Sequence, residues 1–135
     1  MENGANIISD ETRARITAVS AALLRLHKSL LDSERFVYES VHGQVASPYE
    51  MLRIVMNDTQ FAWLRKLSSL IALLDEAVAA RTPPLEAGAL ALLEEARTLL
   101  KFETQDKTFV ESFQRGLKRS PEAKANYDEV LKVTG

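Results

Sequence analysis

The sequence has no cysteine in its 135 residues and only two histidines. The missing cysteine excludes disulfides, thiolate catalysis and zinc–cysteine sites. It also contains only 5 glycines and 4 prolines, and the glycines are not clustered. A glycine-rich phosphate loop or a Gly-x-Ser-x-Gly nucleophile turn is therefore absent, which removes the commonest nucleotide-binding and hydrolase signatures.

Long apolar runs are also missing. The most apolar stretch, LIALLDEAVAA, is interrupted by Asp75 and Glu76 and is too short to span a bilayer. The N-terminal segment MENGANIISDE lacks the basic and apolar regions of a signal peptide. We therefore expect a cytoplasmic protein with no membrane partner.

The chain also lacks an excess of either charge, since 17 basic and 19 acidic residues are mixed along it and give a net charge of −2. Nucleic-acid binders usually carry a basic stripe that displaces counterions, and none is visible. The densest basic patch, 115–119, lies beside Glu111 and Glu122, which favours a solvated helix end. We expect no nucleic-acid partner.

Helical periodicity dominates what is present, and no apolar/polar alternation runs far enough to predict a strand. Side chains that cap helix starts, such as Ser47 before Pro48 and Ser120 before Pro121, mark the beginnings of helices. Gly43 marks the end of the first helix, whose apolar seam runs from Ile16 to Val41. The predicted helices cover 9–43, 48–56, 59–80, 85–101, 107–118 and 121–132.

The fold class predicted from these segments is all-α. Four main helices with short connections favour an up-down four-helix bundle, with short extra helices near 48–56 and 121–132. The helix 59–80 has two apolar stripes, so we expect it at the centre. Residues 1–8 are expected to form a disordered tail, and 9–135 a single domain.

Glu39 and His42 have the Glu-x-x-His spacing by which helical bundles hold metal ions. Helix geometry turns Glu39 away from the apolar seam and leaves His42 at its margin. His27 has no such glutamate and lies about 22 Å from His42 along the axis. We therefore predict no metal and no other cofactor, and interpret His42 as a residue favoured by the helix dipole.

A polar line lies inside the apolar seam of the first helix, formed by His27, Glu34 and Tyr38. Polar groups that are buried need hydrogen-bond partners. Counting back along an antiparallel hairpin places His27 level with Asp75, which predicts a His27–Asp75 pair.

The same count places Glu34 level with Ser68 or Arg65, which predicts a contact to one of them. A histidine oriented by a carboxylate is the minimal general-base unit, so the line is a candidate ligand-binding or proton-transfer site. No nucleophile, phosphate loop or metal set accompanies it, and this favours a role in fixing helix register. Trp63, with Phe61 and Tyr49, is a candidate lining for an apolar pocket or else part of the core.

The stretches LHKSLLDSERFVYESVHG (Leu26–Gly43) and FAWLRKLSSLIALLDE (Phe61–Glu76) resemble small bacterial helical proteins without an assigned activity. The resemblance is clearest over about the first 80 residues. It implies a bacterial cytoplasmic protein, transfers no functional residue, and adds nothing on mechanism.

The sequence favours a non-enzymatic interaction module that associates with itself, as a homodimer, or with a protein partner. The alternative is a small-ligand-binding bundle or weak enzyme that uses His27, Glu34, Tyr38 and Asp75. A metal-dependent bundle is disfavoured by the histidine count.

Overall fold

The computed structural model describes residues 6–135 as an all-α protein, which confirms the predicted fold class. Within that range there is no strand, only an isolated β-bridge between Ile7 and Leu85. The helices are α1 (Asp10–His42), α2 (Pro48–Asn57), α3 (Leu64–Ala79), α4 (Glu86–Leu100), α5 (Lys107–Arg119) and α6 (Pro121–Thr134).

Local signals fix the helix ends as predicted. The Ser9 hydroxyl accepts the Thr12 amide at the start of α1, and Gly43 ends that helix with a φ of 87°. This positive φ suits glycine, which lacks the Cβ that would clash there. Ser47 and Ser120 cap α2 and α6 in the same way. Sequence reasoning was therefore accurate wherever a cap side chain and its amide are close in the chain.

The segment predicted as one helix over 59–80 begins with a single 3₁₀ turn, Thr59–Phe61. The Asp58 carboxylate accepts the Gln60 amide at 2.8 Å and holds this turn. The regular α3 starts only at Leu64. The 3₁₀ turn brings the fully buried Phe61 against the core before the helix begins.

The central helix is α1, which packs most extensively against α3 and α6. The predicted central position of 59–80 is therefore wrong. α1 is the longest helix, at 33 residues, and its apolar seam is wide enough to contact several neighbours. α6 is also more than the short extra helix that was predicted, because α1 packs against it as extensively as against α3.

Hydrogen bonds fix the directions of these neighbours. Arg13 donates to the Val78 carbonyl and Ser20 to Asp75, so α3 is antiparallel to α1. Arg119, just before α6, donates to Ser33 and Asn126 donates to Ser29, so α6 is antiparallel to α1 as well. Glu86 bonds to Ser9 at 2.8 Å, so α4 starts beside the N-terminus of α1.

Aromatic side chains close the core where α4, α5 and α6 meet. Phe109 and Phe113, fully buried in α5, pack edge to face with ring centroids 5.6 Å apart. Phe102 has a positive φ of 59°, which is unfavourable for a residue with a Cβ. Its ring lies 5.1 Å from Phe113 and stacks on Tyr127, so aromatic packing offsets the backbone strain.

The N-terminal segment was expected to be disordered up to residue 8. Residues 1–5 of that prediction lie outside the described residues. Ile8 is buried in the core, and its amide donates to the Pro84 carbonyl at 2.9 Å. The ordered chain therefore begins at least three residues before α1.

Candidate functional site

The polar line on α1 is not a single site. His27 is half-buried, and burial lowers the pKa of its imidazole because the charged form loses solvation. The Asp75 carboxylate accepts a hydrogen bond from Ser20, seven positions before His27. The predicted His27–Asp75 pair is wrong, because the 3₁₀ turn brings the chain back to α1 earlier than the hairpin count assumed.

Glu34 is buried, with only 7% of its surface exposed, and finds two partners. Its Oε2 accepts from Gln60 Nε2 at 2.8 Å, and its Oε1 lies 3.2 Å from Arg119 Nη2. The predicted contact to Ser68 or Arg65 is wrong. The Arg65 guanidinium donates to the Val55 carbonyl at 3.2 Å.

Tyr38, the third residue of the polar line, packs near the C-terminal end of α1. Its ring stacks on His42 at 4.2 Å and lies 5.9 Å from Phe61. The Glu39 carboxylate accepts the Val45 amide at 2.8 Å, which tightens the chain after the helix. Across residues 6–135, no three side chains of the metal-binding types are grouped to hold an ion.

A cleft of about 440 Å³ lies between α1, the start of α3 and α5. Two of the predicted site residues, Glu34 and Trp63, line it, whereas His27, Tyr38, Arg65 and Asp75 do not. Its apolar wall includes Val37, Trp63 and Phe109, and its charged groups are Glu34, Lys66, Asp106, Arg115 and Arg119. This cleft is the candidate binding site, and sequence reasoning found two of its thirteen lining residues.

Arg119 is the residue that sequence reasoning misplaced most clearly. The patch 115–119 was interpreted as a solvated helix end. Instead, Arg119 donates from Nε to the Ser33 hydroxyl at 2.7 Å and pairs with Glu34. One sequence signal was available, because a buried Glu34 needs a cation and the capped turn at Ser120 places Arg119 at a helix junction.

Trp63 carries an unexplained polar atom next to the cleft. The side chain is 7% exposed, and its ring lies 6.3 Å from Phe109 and 6.0 Å from Phe113. Its indole Nε1–H is buried without a hydrogen-bond acceptor among the described residues. Buried donors are usually satisfied, so this unpaired donor is unusual. The atom itself has no accessible surface and does not line the cleft.

A second candidate surface is the outer side of α2. Met51, Ile54 and Val55 are half-buried and hold one side of the helix against the core. On the opposite side, the spacing of three and four residues aligns Tyr49, Leu52 and Met56, which are 72%, 56% and 61% exposed. We name these three residues the α2 outer face.

Comparison of the chain with protein-family models, curated proteins and solved structures gives no significant match. The resemblance to bacterial helical proteins therefore gains no support from the comparisons. Among the helices of the described range, none is long and apolar enough to cross a membrane.

Proposed function

We propose that the protein is a non-enzymatic interaction module and that the α2 outer face binds a second copy of the chain. The observation that carries this proposal is that α2 is apolar on both sides. One side packs on the core, while Tyr49, Leu52 and Met56 face water. Three large exposed apolar side chains in one row are typical of an interaction surface.

The charges beside this face favour a second copy as the partner. Glu50 and Arg53 flank it and form an ion pair with 3.3 Å between Oε2 and Nη1. Both signs are therefore present, so a two-fold contact can place the arginine of one chain near the glutamate of the other. A surface of one sign would repel its own copy.

The expected dimer is weak. α2 has 10 residues and is about 15 Å long, and a stable interface buries roughly 800 Å² per partner. We expect dissociation in the micromolar range.

The test is light scattering after gel filtration over a range of protein concentrations, with native mass spectrometry of the freshly purified chain. The wild type is expected to shift from monomer to dimer as concentration rises. Leu52→Lys is expected to raise the dissociation constant at least tenfold, since it places a charge on the α2 outer face. Leu24→Lys is the matched control, because Leu24 is 57% exposed on α1 outside this surface.

A wild type that stays monomeric at every concentration would overturn the proposal. So would a dimer that Leu24→Lys weakens and Leu52→Lys leaves intact, because that result would place the interface elsewhere.

We also propose that α1, α3, α4 and α6 form an up-down-up-down bundle. Contacts of α1 with α3 and α6, and of α4 with both of these helices, support a closed arrangement of four. In this arrangement α6 is the fourth helix of the bundle, where the helix 107–118 was predicted, and α5 covers one end.

A further inference from the structure

The charged groups of the cleft do not balance. Lys66 pairs with Asp106 at 3.4 Å, and Arg119 pairs with Glu34 at 3.2 Å. In the part of the chain that the structure describes, Arg115 has no carboxylate within ion-pair distance, although it lines the same cleft. The cleft therefore holds one positive charge in excess.

The carboxylates of the cleft are already committed to other partners. Asp106 accepts the Phe109 amide at 3.0 Å as the N-cap of α5. This bond, with the Lys66 ammonium, lowers the pKa of the Asp106 carboxyl. Glu34 is held by Gln60 as well as by Arg119. Neither carboxylate is free to turn toward Arg115 without leaving a buried or capping group unpaired.

The unpaired indole donor of Trp63 is independent of this charge count. A buried donor without an acceptor costs about 1–3 kcal/mol. Trp63 forms part of the cleft wall, but its Nε1–H has no accessible surface, so a molecule in the cleft would contact other atoms of the indole. The excess positive charge calls for a ligand with a negatively charged oxygen.

We propose that the cleft binds a small organic monoanion, a carboxylate with an aromatic or aliphatic body. The guanidinium of Arg115 pairs with the carboxylate, since its planar donors match that group. The body lies against Val37, Trp63 and Phe109. A single negative charge is preferred to a dianionic phosphate because the cleft has one positive charge in excess.

The size of the cleft agrees with such a ligand. Its volume of about 440 Å³ lies within the roughly 300–1,000 Å³ of typical small-molecule sites. This proposal does not depend on the α2 outer face, which is formed by other residues.

The test uses the full chain, with 3-phenylpropionate as the probe and its neutral amide as the matched control ligand. Trp63 is the only tryptophan of the sequence, so its fluorescence and its single indole N–H signal in NMR both report on the cleft. We expect a saturable change in both signals with the carboxylate at millimolar concentrations or below. The amide, which keeps the shape and loses the charge, is expected to bind at least tenfold more weakly.

Two variants locate the charge. Arg115→Gln is expected to weaken 3-phenylpropionate binding at least tenfold, whereas Lys118→Gln removes a cation from the same helix outside the cleft and is expected to leave binding unchanged. Arg115 is exposed, so the folded state is expected to survive the substitution, which circular dichroism checks. Ser112→Leu places bulk in the cleft and is expected to abolish the response.

The proposal is overturned if the indole signal does not respond to the carboxylate, or if the amide binds equally well. Equal weakening by Arg115→Gln and Lys118→Gln would also overturn it, because that result shows only a general effect of charge. Tighter binding of inorganic phosphate than of 3-phenylpropionate would contradict the monoanion. If the Leu52→Lys variant binds 3-phenylpropionate as tightly as the wild type, the cleft binds its ligand independently of the α2 outer face.

Discussion

The Glu34 carboxylate joins α1 to the last residue of α5, with Arg119 Nη2 3.2 Å from its Oε1. The two residues are 85 positions apart in the chain. Gln60 occupies the other oxygen of the same carboxylate at 2.8 Å. One buried group therefore connects three segments, and the stability of this junction depends on it.

Replacing Glu34 with alanine is expected to lower the free energy of unfolding by about 2–4 kcal/mol, because it removes the buried carboxylate that Arg119 and Gln60 share. Urea unfolding measures the change. Asp32→Ala is the control, since Asp32 forms an exposed pair with Lys28 on the same helix. The control should change stability by about 0.5 kcal/mol or less. Equal effects of both variants would contradict a junction at Glu34.

Gly116 marks a close approach of α5 to α1. A Cβ added there would lie 2.9 Å from Leu30 Cδ2, and Leu30 is fully buried. Gly88, within α4, has open space at the same position. Gly88→Ala is expected to stabilise by about 0.5–1 kcal/mol through helix propensity. The free energy of unfolding of the Gly116→Ala variant should be about 1–3 kcal/mol lower than that of Gly88→Ala because of crowding.

Thermal unfolding of the two glycine variants gives this difference directly. Equal stabilisation by both substitutions would show that the Leu30 side chain moves aside without cost.

Burial lowers the pKa of His27 from its ordinary value of 6.5. Between this lowered pKa and 6.5 the unfolded chain binds more protons than the folded one. Stability is therefore complete above about pH 7 and falls as the pH drops through 6.5. The slope of unfolding free energy between about pH 7.5 and 5.5 should flatten in His27→Gln. It should persist in His42→Gln, which replaces an exposed histidine.

Glu86 connects the start of α4 to the start of α1 by hydrogen bonds. The Thr12 hydroxyl and the Ser9 amide donate to its carboxylate at 2.6 and 2.8 Å and lower its pKa below the ordinary 4.5. Stability from this group is present above that value and lost as the pH falls through the lowered pKa. Glu86→Gln should destabilise the protein at pH 7 and reduce the loss of stability below pH 4.5. An unchanged acid-unfolding curve would contradict this role.

Sequence reasoning succeeded where the determinants are local. Ser47 with Pro48 and Ser120 with Pro121 predicted helix starts because the cap and the amide that it satisfies are within three residues. The apolar seams of the helices predicted most of the core, because they too depend on residues three and four positions apart. Val41 lies on the predicted seam but is exposed, because α1 extends past its packing partners.

The side-chain pairs of the site depend on the register between helices, which the periodicity of the sequence does not determine. The register between α1 and α3 is set by how much chain the short α2 and the 3₁₀ turn take up, and this moved the partner of Asp75 from His27 to Ser20. The pairing of Glu34 with Arg119 depends in addition on where α5 crosses α1. Glu34 was found because a charged residue is unusual in an apolar seam, and Trp63 because a large aromatic side chain can line a pocket.

The position of α6 against α1 has a consequence during synthesis. α1 is complete at His42, but the helix that covers one of its sides ends at Thr134. At about 5–20 residues per second, roughly 5–20 s separate the two on the ribosome. During that time the apolar residues of α1 that face α6 lack the helix that covers them in the folded chain.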